Sequence, residues 1–217
     1  MPEIQRLEGL AAPLPINNLD TDQIMPKQFL RGIDKRGLDK GVLYDMRFDA
    51  DGNPRNDFVL NREPYVGASI LVTGANFGCG SSREHAVWGL MQLGIRAVIA
   101  SGYGEIFYSN AMNNQLLPVI LSPEQVEELT NAISTGNGAQ VQIDLEKLQV
   151  EWPGGSAPFA ISERHRRMLM QGLDMVGASV QMLNQVRDYE ERHWADAPWL
   201  KGVAGAAQAR RSDLAAQ

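Results

Sequence analysis

Cysteine is scarce in this 217-residue chain: Cys79 is the only one. A single thiol permits no internal disulfide, and it cannot supply the several thiolates that an iron–sulfur cluster takes, so any cluster would have to come from another chain. Long apolar runs are missing as well. No stretch of about 18 apolar residues exists to cross a bilayer, and Met1-Pro2-Glu3-Ile4-Gln5-Arg6 lacks the basic start and apolar stretch of a secretory signal. The expected location is the cytoplasm, with no membrane partner. Positive charge is in deficit, 20 Lys and Arg against 26 Asp and Glu, for a net charge of -6 and a pI near 5.1. That balance speaks against a nucleic-acid partner, because nonspecific binding needs a basic patch to displace counterions. The pair Arg166-Arg167 is too small to change this.

What is present reads as an ordinary globular α/β chain, 44% hydrophobic and 21% charged. The segment to about Leu30 carries Pro13, Pro15 and Pro26 and the polar group Asn17-Asn18-Leu19-Asp20-Thr21-Asp22, which suggests strand and turn without an amphipathic helix. Residues 31–67 are rich in charges and breakers, including Gly32, Gly37, Gly41, Asp51-Gly52 and Pro54, and predict a long, partly mobile loop. Ala68–Thr73 then predicts a β-branched strand, followed by a glycine-rich turn, a helix from about Ser82 to Leu93 closed by Gly94, and a strand over Ile95–Ala100. Further alternation follows. A helix is expected near 105–113, a strand at 118–121, a helix capped by Ser122 with Pro123 at its first position, and short strands at 139–145 and 147–152. Ser162 is expected to cap a helix running to about Gln171, and a last helix to span roughly 180–194. The Ala/Gly-rich end lacks apolar periodicity, so the expected organisation is one domain over 1–199 and a frayed tail over 200–217.

The segment with chemical content is Asn76-Phe77-Gly78-Cys79-Gly80-Ser81-Ser82-Arg83-Glu84-His85. Two glycines allow a tight turn after a strand, and two hydroxyls and an Arg meet a helix N-terminus, which is the composition of an anion site. Such a terminus favours a carboxylate or phosphate by about 0.3–1 kcal/mol, and Arg83 can add bidentate hydrogen bonds. The same residues also read as a capping box, Ser81 bonding the amide three residues on and Glu84 reaching back. Residue identity removes the usual competitors. There is no Gly at 83 to complete G-x-G-x-x-G, no Gly-Lys-Ser/Thr of a P-loop and no G-x-S-x-G elbow. Cys79 lacks a neighbouring cysteine or evident base to make it a nucleophile. His165 and His193 have no His or Cys at metal-ligand spacing.

Gly78–His85 resembles the Gly-x-Gly-Ser-Ser-Arg-Glu-His signature of the swivelling domain of the aconitase superfamily. With Cys at 79 after Asn76-Phe77, it is most similar to the small subunits of the isopropylmalate dehydratases. Asp20-Thr21-Asp22-Gln23-Ile24 through Phe29-Leu30-Arg31, Asn113-Asn114-Gln115-Leu116-Leu117-Pro118 and Gly172-Leu173-Asp174 look like landmarks of the same family in the same order, so the likeness covers about residues 5–194. It implies a swivelling β/β/α domain and a hydro-lyase that interconverts 2-isopropylmalate and 3-isopropylmalate in leucine biosynthesis, acting on a small hydroxy-dicarboxylate. It also implies a large subunit carrying a [4Fe–4S] cluster, with no metal or cofactor held by this chain and no complete site on either subunit. By resemblance Ser81 is the base, Ser82 and Arg83 hold the carboxylate, and Arg31 pairs with the distal carboxylate. Asp22 orients Arg31 or a polar neighbour, or caps its own turn. His85 packs on the first turn of the helix or orients catalytic groups.

The chain departs from the family pattern at Val87-Trp88-Gly89, where Pro-Trp-Ala is common, and over Arg31–Asp39. The second stretch bears on the substrate's side chain. A related hydro-lyase for dimethylmalate, methylmalate (citraconate) or a homoaconitate-like acid would use the same Ser81 and Arg83. A non-catalytic module that grips a carboxylate or phosphate is the reading from a different class.

Overall fold

The computed structural model describes residues 3–30, 35–135, 138–205, 207–208 and 211. It divides into two compact units, Met1–Asp174 and Met175–Gln217.

The first unit is built on a seven-stranded mixed sheet. Its strands are β1 (Arg6–Leu14), β2 (Ile70–Thr73), β3 (Ala97–Ala100), β4 (Leu117–Ile120), β5 (Ala139–Asp144), β6 (Gln149–Trp152) and β7 (Gly155–Pro158), in the spatial order β4-β3-β2-β1-β5-β6-β7. β1 is the seam. On one side it pairs parallel with β2, Leu14 opposite Thr73, and β3 and β4 continue the parallel half. On the other it pairs antiparallel with β5, and two hairpins add β6 and β7. β2 and β3 are buried along their whole length, as expected of continuous β-branched runs covered on both faces.

Helices α1 (Thr21–Ile24), α2 (Tyr44–Arg47), α3 (Glu84–Gln92), α4 (Glu105–Asn113), α5 (Pro123–Ser134) and α6 (Glu163–Met170) complete this unit. The two faces of the sheet carry separate cores. Ile70, Val72 and Ile99 pack with Val126, Leu129 and Ile133 of α5. Leu71, Val98 and Ala100 pack with Ala86, Val87 and Leu90 of α3 and with Leu19, Ile24 and Met25. Caps set the helix boundaries: Ser122 accepts from the Gln125 amide ahead of Pro123, and Ser162 accepts from the His165 amide. Gly94, at φ 104°, closes α3 with the Ile95 amide donating to the Leu90 carbonyl.

Three expectations change. The described part of the stretch expected to be a mobile loop, 35–67, is anchored. It holds helical turns at Leu38–Gly41, Tyr44–Arg47 and Val59–Asn61, buries Leu38, Val42, Leu43, Val59 and Tyr65, and is cross-tied by Arg47, which donates to the Asp39 and Val42 carbonyls and to Asn61. β7 is an additional strand, made from the small residues of Gly-Ser-Ala-Pro because the β6 hairpin delivers it to the sheet edge. The helix expected at 180–194 is α8 (Leu183–Asp196), and a short helix the sequence did not suggest, α7 (Met175–Val180), precedes it, both in the second unit. A 3-10 turn at Pro198–Leu200 follows. Residues 203–205 are helical within the expected tail, and 206, 209–210 and 212–217 lie outside the described residues.

Candidate functional site

Parallel pairing decides where the chemistry-bearing loop sits. β1, β2 and β3 run side by side in one direction, so the segments leaving their C-terminal ends, 15–22, 74–83 and 101–104, emerge at one edge of the sheet, where ligands of parallel α/β sheets bind. All three meet there. The Gly78 amide donates to the Leu19 carbonyl at 2.7 Å, and the Thr21 amide to the Cys79 carbonyl at 2.9 Å. On the opposite flank the Phe77 amide donates to Gly102 and the Gly104 amide to Phe77, at 3.0 and 2.9 Å. The 74–83 loop is therefore gripped from both sides by backbone.

Phe77 is the loop's apolar anchor. It is fully buried and meets Phe107 edge to face at 5.1 Å, worth about 2–3 kcal/mol of burial. Gly78, at φ 71°, lies against the Phe107 ring, where no side chain fits. Gly104 is constrained by space alone: a Cβ there would stand 2.5 Å from the Gly78 carbonyl oxygen and 2.9 Å from the Cys79 Cα. Tyr103 between them is half-buried, and its hydroxyl donates to the Val98 and Val119 carbonyls at 2.6 and 3.0 Å. Burial pushes its phenol well above the ordinary tyrosine range.

From this mount Ser81 and Ser82 reach solvent, while Arg83 turns back. Its guanidinium forms an ion pair with Asp22 and donates to the Met25 carbonyl at 3.3 Å. Asp22 of α1 thus meets Arg83 at the end of the 74–83 loop. Asp20 caps α1 in a reciprocal box with Gln23. Arg31 lies outside the described residues.

The capping-box reading of Ser81–Glu84 is corrected. The cap position of α3 is Arg83, and no side chain caps the helix. Glu84 is taken elsewhere, accepting from Asn114 Nδ2 at 2.6 Å, while Asn114 Oδ1 accepts from the Trp88 indole at 2.9 Å. The N-terminal amides of a nine-residue helix are left without side-chain acceptors, which is the condition for binding an anion. His85 packs on Trp88 with ring centroids 4.8 Å apart. Lys35 lies 3.9 Å over the same indole, so Trp88 joins α3 to the 35–41 segment. Thr21, Gly104 and Asn114 escaped the sequence reading as site residues. Thr21 and Asn114 left a trace as parts of landmark runs, and Gly104 left none.

Cys79 is half-buried, and no group of three or more His, Cys, Asp or Glu that could hold a metal is found among the described residues. The donor set of this chain does not fit an iron–sulfur cluster. No described helix is long and apolar enough to cross a membrane.

Comparison with known proteins places these features in context. Residues 1–124 match the family model of the aconitase C-terminal domain. The chain is 58% identical over 199 residues to 3-isopropylmalate dehydratase small subunit 1 of Chromobacterium violaceum, covering 92% of this chain and 94% of that one. It is 46% identical over 204 residues to the small subunit of 3-isopropylmalate dehydratase of Phenylobacterium zucineum, 94% and 100% of the two chains. Among solved structures it resembles a 3-isopropylmalate dehydratase from Methanocaldococcus jannaschii, with a TM-score of 0.60 and 27% identity over 84% of this chain and 99% of that one.

Proposed function

The chain belongs to the aconitase C-terminal-domain family, among the small subunits of 3-isopropylmalate dehydratase, and from that membership we propose that it is half of a hydro-lyase site that interconverts 2-isopropylmalate and 3-isopropylmalate in leucine biosynthesis. The observation that carries the reading is the uncapped start of α3, with Ser81, Ser82 and Arg83 held beside it on a rigidly mounted loop. A carboxylate is the ligand such a mount suits.

The reaction removes a proton from a carbon next to a carboxylate and a hydroxyl from its neighbour, releasing water, then returns water with the two positions exchanged. Ser81 is the proposed base and Ser82 with Arg83 the proposed carboxylate anchor. Arg31 is assigned the distal carboxylate. Asp22 holds Arg83 in place, and His85 braces the first turn of α3 through Trp88.

Magnitudes decide whether Ser81 acts alone. A serine hydroxyl is a very weak acid, and a helix terminus contributes about 0.3–1 kcal/mol at an exposed site, under one pKa unit. Ser81 is exposed in this chain, so that contribution falls far short. The same positive groups act far more strongly once water is excluded, about 4 kcal/mol for a charge at 4 Å in an effective dielectric near 20. The base is therefore expected to form only when a large subunit covers the loop. An iron–sulfur cluster on that large subunit would supply Lewis-acid assistance at the departing hydroxyl. The cytoplasm remains the expected location.

The test is anaerobic reconstitution with a large subunit, followed by assay on a panel of alkylmalates and alkylmaleates. Turnover of isopropylmalate above the other acids supports the reading. Preference for dimethylmalate, methylmalate or a homoaconitate-like acid would reassign the substrate, and binding without turnover would favour the carboxylate-binding module.

A further inference from the structure

Thr21 is buried, 2% exposed, directly beneath the 78–83 loop, and both of its polar donors are spent on that loop. Its amide donates to the Cys79 carbonyl at 2.9 Å, and its hydroxyl donates to the Ser81 carbonyl at 2.8 Å. In a trans peptide the carbonyl and the following N–H point in opposite directions. Drawing the Cys79 and Ser81 carbonyls down onto Thr21 therefore turns the Gly80 and Ser82 amides up, toward the open side where Ser81 and Ser82 reach solvent. Gly80 between them adopts φ 88°. Side chains of L residues rarely adopt that conformation, so glycine is what lets the loop turn here. Neither of these two amides meets a protein acceptor among the described residues.

We propose that Thr21 is a positioning residue for the reaction. Its hydroxyl fixes the backbone from which Ser81 projects and aims the Gly80 and Ser82 amides at the substrate carboxylate. This rests on the function proposed above. The capping box of Asp20 and Gln23 holds Thr21 itself, by starting α1 at that residue, so a turn of helix on one loop sets the amide pattern of the other.

Three substitutions separate hydroxyl from methyl: Thr21→Val removes only the hydroxyl, Thr21→Ala removes both, and Thr21→Ser keeps the hydroxyl. In the complex with a large subunit, Thr21→Val and Thr21→Ala are expected to lower kcat about tenfold, as misplaced groups do, with Thr21→Ser close to wild type. In the isolated full chain, the amide NMR resonances of Gly80 and Ser82 are expected to shift in the Val and Ala variants and to hold in the Ser variant. If Thr21→Val fails to fold, the Ala and Ser pair decides. Wild-type turnover in the Val and Ala variants, or an equal loss in Thr21→Ser, overturns the proposal. So do unmoved amide resonances, whatever the activity. A wild-type complex that turns over no acid overturns the function reading instead, since the amide measurement does not depend on it.

Discussion

Arg83, at the start of α3, is paired with Asp22 of α1, its side chain 12% exposed and that of Asp22 46% exposed. The guanidinium is largely withdrawn from water while the carboxylate stays half wet, so the pair steers Arg83 more than it stabilises the fold. Asp22→Asn keeps the shape and removes the charge. The expected result is a fall of about fivefold in kcat/KM, equivalent to about 1 kcal/mol, carried mainly by KM. Steady-state kinetics on the assembled enzyme measure it.

Gly104 is expected to tolerate no side chain, because a Cβ would meet the backbone of Gly78 and Cys79 rather than a movable side chain. Gly104→Ala should cost about 1–3 kcal/mol of stability and lower turnover by displacing the loop. A denaturant midpoint and a kcat measurement check the two effects separately.

Much of this architecture could be read from local pattern. The strand–loop–helix unit around Gly78–His85, the caps at Ser122 and Ser162 and the glycine that closes α3 are local signals, and the structure places each where the sequence implied. The contacts that build the site are not local. Leu19, Thr21 and Asp22 meet Gly78, Cys79, Ser81 and Arg83 because β1 and β2 are parallel neighbours, which no spacing rule states. Gly104 matters for an approach of backbones that sequence does not show, and the anchoring of 35–67 depends on Arg47 and Asn61 reaching carbonyls 5 to 14 residues away, at no fixed spacing. The capping-box reading failed for a similar reason: Asn114, from the end of α4, takes Glu84 away from the helix start.

Asn114 joins α3 to α4 through three hydrogen bonds, to Glu84, to Trp88 and to the Asn110 carbonyl. Asn114→Leu leaves the Glu84 carboxylate and the Trp88 indole without these partners. A loss of about 1–3 kcal/mol is expected, read from equilibrium unfolding, together with a change in Trp fluorescence.

Asp144 anchors the first strand. Its carboxylate accepts from the Lys147 amide at 2.8 Å, the Glu146 amide at 2.9 Å and Arg6 at 3.0 Å, and these donors, the Lys147 amide foremost, hold it below the usual carboxylate range. A carboxyl whose pKa is lower in the folded state stabilises the fold above its unfolded value, about 3.9, and loses that contribution as pH falls through the folded value. Asp144→Asn is therefore expected to lower stability near neutrality and to flatten the acid side of the stability profile. Thermal unfolding as a function of pH reads both.

The central claim is that Ser81 supplies the base from this chain to a site completed by a large subunit. Ser81→Ala in the assembled enzyme tests it most directly, with turnover and subunit association measured on the same preparation. The expected result is a fall in kcat of about 10³-fold with association unchanged. Turnover within a few fold of wild type would contradict the account.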